Sequence, residues 1–171
     1  MKIVFFDLGR TLEYDGELLP GAIETLEAIQ GMLDGCGKRP MLALISDYFL
    51  ARKDPSRIPE LQRQYYAELE RLGIRSFFEP LAERVTLSTE LGVPKPDERM
   101  FRTAIDRIRP GLDYGETMFT ADTLEHVEAA RRLGMTAYHL QVRGEPAGDV
   151  SSLPELLPLV RRFVGERKAP S

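Results

Sequence analysis

The sequence predicts an α/β protein built on one parallel sheet, and three observations predict it. Short apolar runs alternate with stretches of helical periodicity. The runs are apolar at consecutive positions, as strands covered on both faces are. Three of them end directly in polar residues, at Asp7, Ser46 and Asp122. A carboxylate at the carboxyl end of a buried strand stands where open α/β sheets place their ligands.

The first strand is Ile3-Val4-Phe5-Phe6, closed by Asp7 and followed by Gly9, Arg10 and Thr11. Asp15-Gly16 is a turn signal and predicts a small hairpin or flap over about residues 12–19, beside Asp7. Pro20 and Gly21 open a helix with Ile23, Leu26, Ile29 and Leu33 at helical spacing, which Gly35 and Gly37 close. Met41 to Ile45 is the second strand, ending in Ser46 and Asp47. The polar, proline-broken stretch 48–59 is a loop placed to cover part of the site. A helix from about Glu60 carries Leu61, Tyr65, Leu69 and Leu72, and Arg84 to Leu87 is a short third strand. The loop Gly92 to Asp97 leads into a helix bearing Phe101, Ala104, Ile105 and Ile108, with Asp97 near its start. Thr117 to Ala121 is the fourth strand, ending in Asp122. Val127, Ala130 and Leu133 mark the next helix, Thr136 to Leu140 the fifth strand, and Leu156, Val160 and Phe163 a final helix. The tail from Glu166 is expected to fray.

At 171 residues the chain suits a single domain, 1–171, able to bury about two-thirds of its unfolded surface. It is 43% hydrophobic with a net charge of −4, which carries no signal for nucleic acid or an anionic membrane as partner. No run approaches the roughly 20 apolar residues of a membrane span. The first strand starts too early to leave room for a secretory signal, so the expected compartment is the cytoplasm. One cysteine, Cys36, excludes an internal disulfide and a thiolate metal cluster.

Asp7-Leu8-Gly9-Arg10-Thr11-Leu12 resembles the nucleophile motif of the haloacid dehalogenase-like (HAD) superfamily, usually Asp-x-Asp-Gly-Thr-Leu. Ser46 is similar to that family's second motif, a hydroxyl that hydrogen-bonds the phosphoryl group. Lys95, in Gly-Val-Pro-Lys-Pro-Asp, resembles the third, and Asp122, in Thr-Ala-Asp-Thr-Leu-Glu-His, the fourth, usually Gly-Asp-x-x-x-Asp. The four in order cover most of the chain. The resemblance implies a three-layer Rossmann-like fold with a five-stranded parallel sheet in the order 5-4-1-2-3. It implies Asp7 as nucleophile, Ser46 and Lys95 as catalytic partners, and Mg²⁺ held by Asp7, Asp122 and the backbone carbonyl of Gly9. The physics agrees, because phosphoryl transfer asks mainly for positioning and charge stabilisation, and Mg²⁺ takes one or two carboxylates among hard oxygens.

Departures from the pattern are as informative. Gly9 stands where phosphatases of this family carry a second Asp, the general acid. A positioned acid–base group is worth about 10² to 10⁴ in rate, so its loss leaves a slow phosphatase, one using another acid, or none. Arg10 replaces the usual Gly and has two fates, binding a substrate anion or pointing to solvent; solvent is expected. His126 takes the place of the fourth motif's second acid, and an exposed helix histidine is expected over a replacement proton donor. Dehalogenases and phosphonate-cleaving relatives also lack the second acid, but they carry a helical cap. Here about thirty residues separate Leu12 from the second strand, so no large cap is expected.

These readings converge on a capless HAD-like Mg²⁺-dependent hydrolase, a phosphatase with weakened or altered acid–base chemistry. Its substrate would be phosphorylated, of a macromolecular kind if the site is open, or the site would be closed by a second subunit of a homo-oligomer. The rival is a pseudoenzyme that binds phosphate, nucleotide or a protein. A third reading is a transfer partner that holds the Asp7 adduct without rapid hydrolysis.

Overall fold

The computed structural model describes residues 1–51, 54–141 and 147–165. Five parallel strands form the central sheet: β1 (Ile3–Phe6), β2 (Met41–Ser46), β3 (Val85–Leu87), β4 (Thr117–Ala121) and β5 (Thr136–His139). Their order across the sheet is β5-β4-β1-β2-β3, the 5-4-1-2-3 order that the resemblance implies. Ile3 pairs with Met41 on one side and with Thr117 on the other, so β1 is central and the chain reverses direction across the sheet there.

Helices α1 (Ala22–Gly31), α2 (Ile58–Arg71) and α5 (Leu156–Val164) cover one face, and α3 (Glu98–Ile108) and α4 (Leu124–Leu133) the other. The pleat of β1 explains why its four residues are all apolar. Val4 and Phe6 face Leu26, Ile29, Tyr65, Leu69, Leu156 and Val160. Ile3 and Phe5 face the opposite core, where Met100, Phe101, Ala104 and Ile105 meet Val127 and Ala130. Each fully buried Phe, Leu or Ile contributes about 1.5–3 kcal/mol. The Phe101 ring meets Phe119 edge to face, with centroids 5.4 Å apart.

The flap is a two-stranded hairpin, Glu13–Tyr14 against Glu17–Leu18. Its turn holds Asp15 at φ 52° and Gly16 at φ 80°, the backbone that Asp-Gly accommodates best.

Several boundaries differ from those expected. Helix α1 stops at Gly31 rather than near Gly35, and Met32 turns extended to bury its own side chain. The Asp34 carboxylate competes for the backbone, accepting the N–H groups of Cys36 and Lys38 and folding a loop there. Leu33 is thereby turned outward at 45% exposure, and Ile23 also lies at the surface, so neither belongs to the core stripe. Helix α2 starts at Ile58, inside the segment expected to be loop. Pro59 sits in its first turn, where the missing N–H costs nothing, and Asp54 starts the preceding 3₁₀ turn by accepting from Ser56. At the end of α5 the buried position is Val164, beside Leu156 and Val160 in the core, while Phe163 is only partly buried beneath Lys2. The tail expected to fray lies outside the described residues. Among the described residues, no helix is long and apolar enough to cross a membrane.

The new end of α1 makes a direct prediction. Leu26→Ala should cost about 2–5 kcal/mol in urea unfolding, as buried leucines do. Leu33→Ala should cost about 0.5 kcal/mol or less. Equal losses would mean that the helix continues through Leu33.

Candidate active site

Asp7 leaves the end of β1 with its N–H donating to the Thr120 carbonyl of β4 at 3.0 Å, so the neighbouring strand fixes its backbone. Its carboxylate is nearly enclosed and fully engaged. Oδ1 accepts from the Leu8 N–H at 2.8 Å and from Ser46 Oγ at 3.3 Å, and Oδ2 meets Lys95 Nζ at 2.7 Å. Lys95 also donates to the Ile45 carbonyl at 2.9 Å, and its side chain has no exposed surface. Its loop is fastened to β2 by the Lys95 N–H donating to Asp47 Oδ1 at 2.8 Å. Asp97 then caps α3, accepting from the Arg99 N–H. Three elements therefore carry Asp7, Ser46 and Lys95 to one point.

Asp122 follows β4, the strand beside β1. Its N–H donates to Thr11 Oγ1 at 3.1 Å, which ties the first motif to the fourth. Its carbonyl accepts from His139 Nε2 at 2.7 Å, and Thr123 Oγ1 donates to its Oδ1 at 3.2 Å. Burial holds the Asp122 carboxyl above the usual carboxylate range, and the negative charge of Asp7 adds to the rise against the pull of Arg10 and Lys95. Asp7 and Asp122 thus feel each other's charge across the strand ends. An open cavity of about 420 Å³, bordered by Arg10, Asp122, Thr123 and His139, lies beside Asp122.

Arg10 is exposed, as expected, and it also pairs: Nε lies 3.2 Å from Asp122 Oδ2 while 47% of the side chain stays in solvent. Its backbone is at φ 59°. The expectation for His126 is corrected, because it is not an exposed helix residue. It is half-buried, with Nδ1 enclosed and lacking a hydrogen-bond partner. Burial lowers its pKa and the Lys95 ammonium lowers it further, so the imidazole is neutral near pH 7.

Other participants were not singled out from the sequence. Tyr65 donates its hydroxyl to Ser46 Oγ at 2.7 Å, and burial pushes its pKa up, which keeps the phenol protonated as a donor. It lies in the core stripe of α2, and a stripe of apolar and aromatic residues gives no sign of a polar task. Thr11, Asp47 and His139 act on backbone groups of the motif residues, pairings that only the fold reveals.

Mg²⁺ is tested by the donor set. Among the described residues, no group of three His, Cys, Asp or Glu side chains is arranged to hold a metal ion. Two mutually repelling carboxylates, Asp7 and Asp122, are nonetheless hard oxygen donors. Their chemistry suits an ion that keeps several waters and takes one or two protein carboxylates.

No family model matches the chain, and no curated protein matches it. Solved structures do. A HAD phosphatase from Thermococcus onnurineus superposes with a TM-score of 0.59 at 22% identity, covering 89% of this chain and 60% of its own. A HAD-hydrolase from Bacillus subtilis bound to magnesium gives a TM-score of 0.61 at 17% identity, covering 85% of this chain and 57% of its own. A HAD-superfamily hydrolase from Ehrlichia chaffeensis gives 0.61 at 13% identity, covering 96% of this chain and 99% of its own. The chain thus spans less than two-thirds of the first two and nearly all of the third. By its sheet order and by these likenesses, this chain has the haloacid dehalogenase-like fold.

Proposed function

We propose that this protein is a Mg²⁺-dependent phosphatase that works through an aspartyl-phosphate on Asp7. The observation that carries the reading is the convergence of Lys95 and Ser46 on the Asp7 carboxylate at a buried strand end. Structural neighbours that include a phosphatase and a magnesium-bound hydrolase support it.

The chain's residues divide the work. An oxygen of Asp7 attacks phosphorus, the bond to the leaving oxygen breaks, and water later cleaves the acyl phosphate. Lys95 offsets the negative charge shared by Asp7 and the incoming phosphoryl group, while its bond to the Ile45 carbonyl fixes its position. Ser46, oriented by Tyr65, donates its hydroxyl to Asp7 and would turn that donor to the arriving phosphoryl group. Asp7, Asp122 and the Gly9 carbonyl would hold Mg²⁺, which supplies charge neutralisation and alignment of the transferring group. With no large cap, the substrate would be a phosphate ester carried on a macromolecule.

Two observations favour the rival reading, a protein that binds phosphate, nucleotide or a partner without turnover. The guanidinium of Arg10 already neutralises Asp122, and Gly9 carries no acid. Activity decides between the two. With Mg²⁺ and an aryl phosphate, Asp7→Asn should lower turnover about 10⁴-fold or more, as removal of a covalent nucleophile does. Equal rates in the two proteins would favour the binding module.

The electrostatics predict two thermal effects. A carboxyl whose folded pKa is raised destabilises the fold once pH exceeds its unfolded value near 3.9, and the full cost is present above the folded pKa. Asp122→Asn removes that cost, so at pH 7 its melting temperature should exceed the parent's. The gain should shrink as pH falls through the carboxylate range, and a lower melting temperature at pH 7 would contradict this. Mg²⁺ with beryllium fluoride should raise the parent's melting temperature and leave Asp7→Asn unchanged, and no rise in the parent would count against phosphoryl binding.

A further inference from the structure

Gly9 is not demanded by the backbone, since it does not adopt the left-handed conformation of the chain's turn glycines. It leaves room, and the side chain nearest that room is an acid. A Cβ built on Gly9 would meet only Glu13 Oε1, at 3.9 Å. Glu13 belongs to the flap, whose backbone is stitched to the first motif. The Arg10 N–H donates to the Glu13 carbonyl at 2.7 Å, the Glu13 N–H donates to the Leu8 carbonyl at 3.1 Å, and Gly9 and Glu13 form an isolated bridge. Glu13 Oε2 accepts the Gly16 N–H at 2.9 Å. That bond anchors the carboxylate by one oxygen and leaves Oε1 as the one turned toward Gly9.

We propose that Glu13 is a catalytic residue, supplying from the flap the acid–base carboxyl that position 9 lacks. The proposal rests on the phosphatase reading. As the Asp7 oxygen bonds to phosphorus and the leaving oxygen separates, the protonated Glu13 carboxyl gives that oxygen its proton, and an alcohol departs. The Glu13 carboxylate then takes a proton from water as the water oxygen bonds to phosphorus. The bond between phosphorus and Asp7 breaks, inorganic phosphate leaves, and both side chains return to their starting states. A purely structural Glu13 would cap the flap turn and do nothing more.

The two roles separate on the leaving group. An alkoxide needs a proton to leave, whereas 2,4-dinitrophenolate does not. Glu13→Gln keeps an oxygen to accept the Gly16 N–H, and its unchanged melting temperature would show that the flap is intact. With Mg²⁺, Glu13→Gln should lower turnover of an alkyl phosphate at least about 10²-fold, within the range of a lost acid–base group. The first-turnover burst of dinitrophenolate from the aryl ester should keep its rate. Adding Gly9→Asp to Glu13→Gln should restore turnover of the alkyl ester. If Glu13→Gln leaves both rates unchanged, or lowers both equally while the parent is active and Asp7→Asn is not, the role of Glu13 is overturned and the phosphatase reading stands. If the parent itself releases no phosphate from either ester, the phosphatase reading fails and the role of Glu13 falls with it.

Discussion

Lys95 carries its charge on a side chain with no exposed surface, 2.7 Å from Asp7 Oδ2, and the site depends on that pair. Taking the two ions out of water costs several kcal/mol each, and the contact is stable only where geometry and further hydrogen bonds offset the loss. The Ile45 carbonyl, the Leu8 N–H and the Ser46 hydroxyl provide those bonds, and the Phe119 ring lies 5.7 Å from the ammonium. The pair therefore joins β1, β2, β4 and the loop before α3 at one point. Removing either partner would leave the other charged and buried, a loss of about 3–5 kcal/mol in comparable pairs. Packing alone does not require an ammonium at this place. On the proposed function, a phosphoryl group arriving beside a carboxylate would.

A second pair, exposed on one side, surrounds Asp122. Arg10 neutralises it from the motif loop while Asp7 repels it from the adjacent strand. Two acids and two cations, with a neutral His126 beside them, make a site whose charges are nearly balanced before any ligand arrives. On the proposed function, a dianionic phosphoryl group would upset that balance unless a divalent cation accompanied it. The 3.2 Å contact of Arg10 would set the competition that such a cation has to win.

The sheet was legible because its signal is local: Ile3 to Phe6 is apolar at every position, Thr117 to Ala121 interrupts its apolar residues only with threonine, and both runs end in an acid. Strand order, and with it the meeting of Asp7 and Asp122, followed from the resemblance and not from periodicity. The end of α1 was misread because Leu33 keeps helical spacing, while the Asp34 carboxylate that breaks the helix acts through bonds to residues after it. The Arg10 contact with Asp122 and the half-burial of His126 were illegible for a different reason. Each involves a distant part of the chain, and an isolated polar residue reads as solvated. Tyr65 was hidden by its place in an apolar stripe, and Glu13 by lying in a flap whose contact with Gly9 exists only once the hairpin closes.

The central claim is that the Asp7 carboxylate itself bonds to phosphorus, and chemical trapping tests it directly. Trypsin cleavage after Lys2 and Arg10 yields a peptide, residues 3–10, in which Asp7 is the only acidic side chain. The protein should be quenched in acid during turnover of a phosphate ester with Mg²⁺, reduced with borohydride, digested and sequenced by mass spectrometry. The account predicts homoserine in place of Asp7, formed by reduction of the acyl phosphate. An unmodified 3–10 peptide recovered from protein that is releasing phosphate would contradict it.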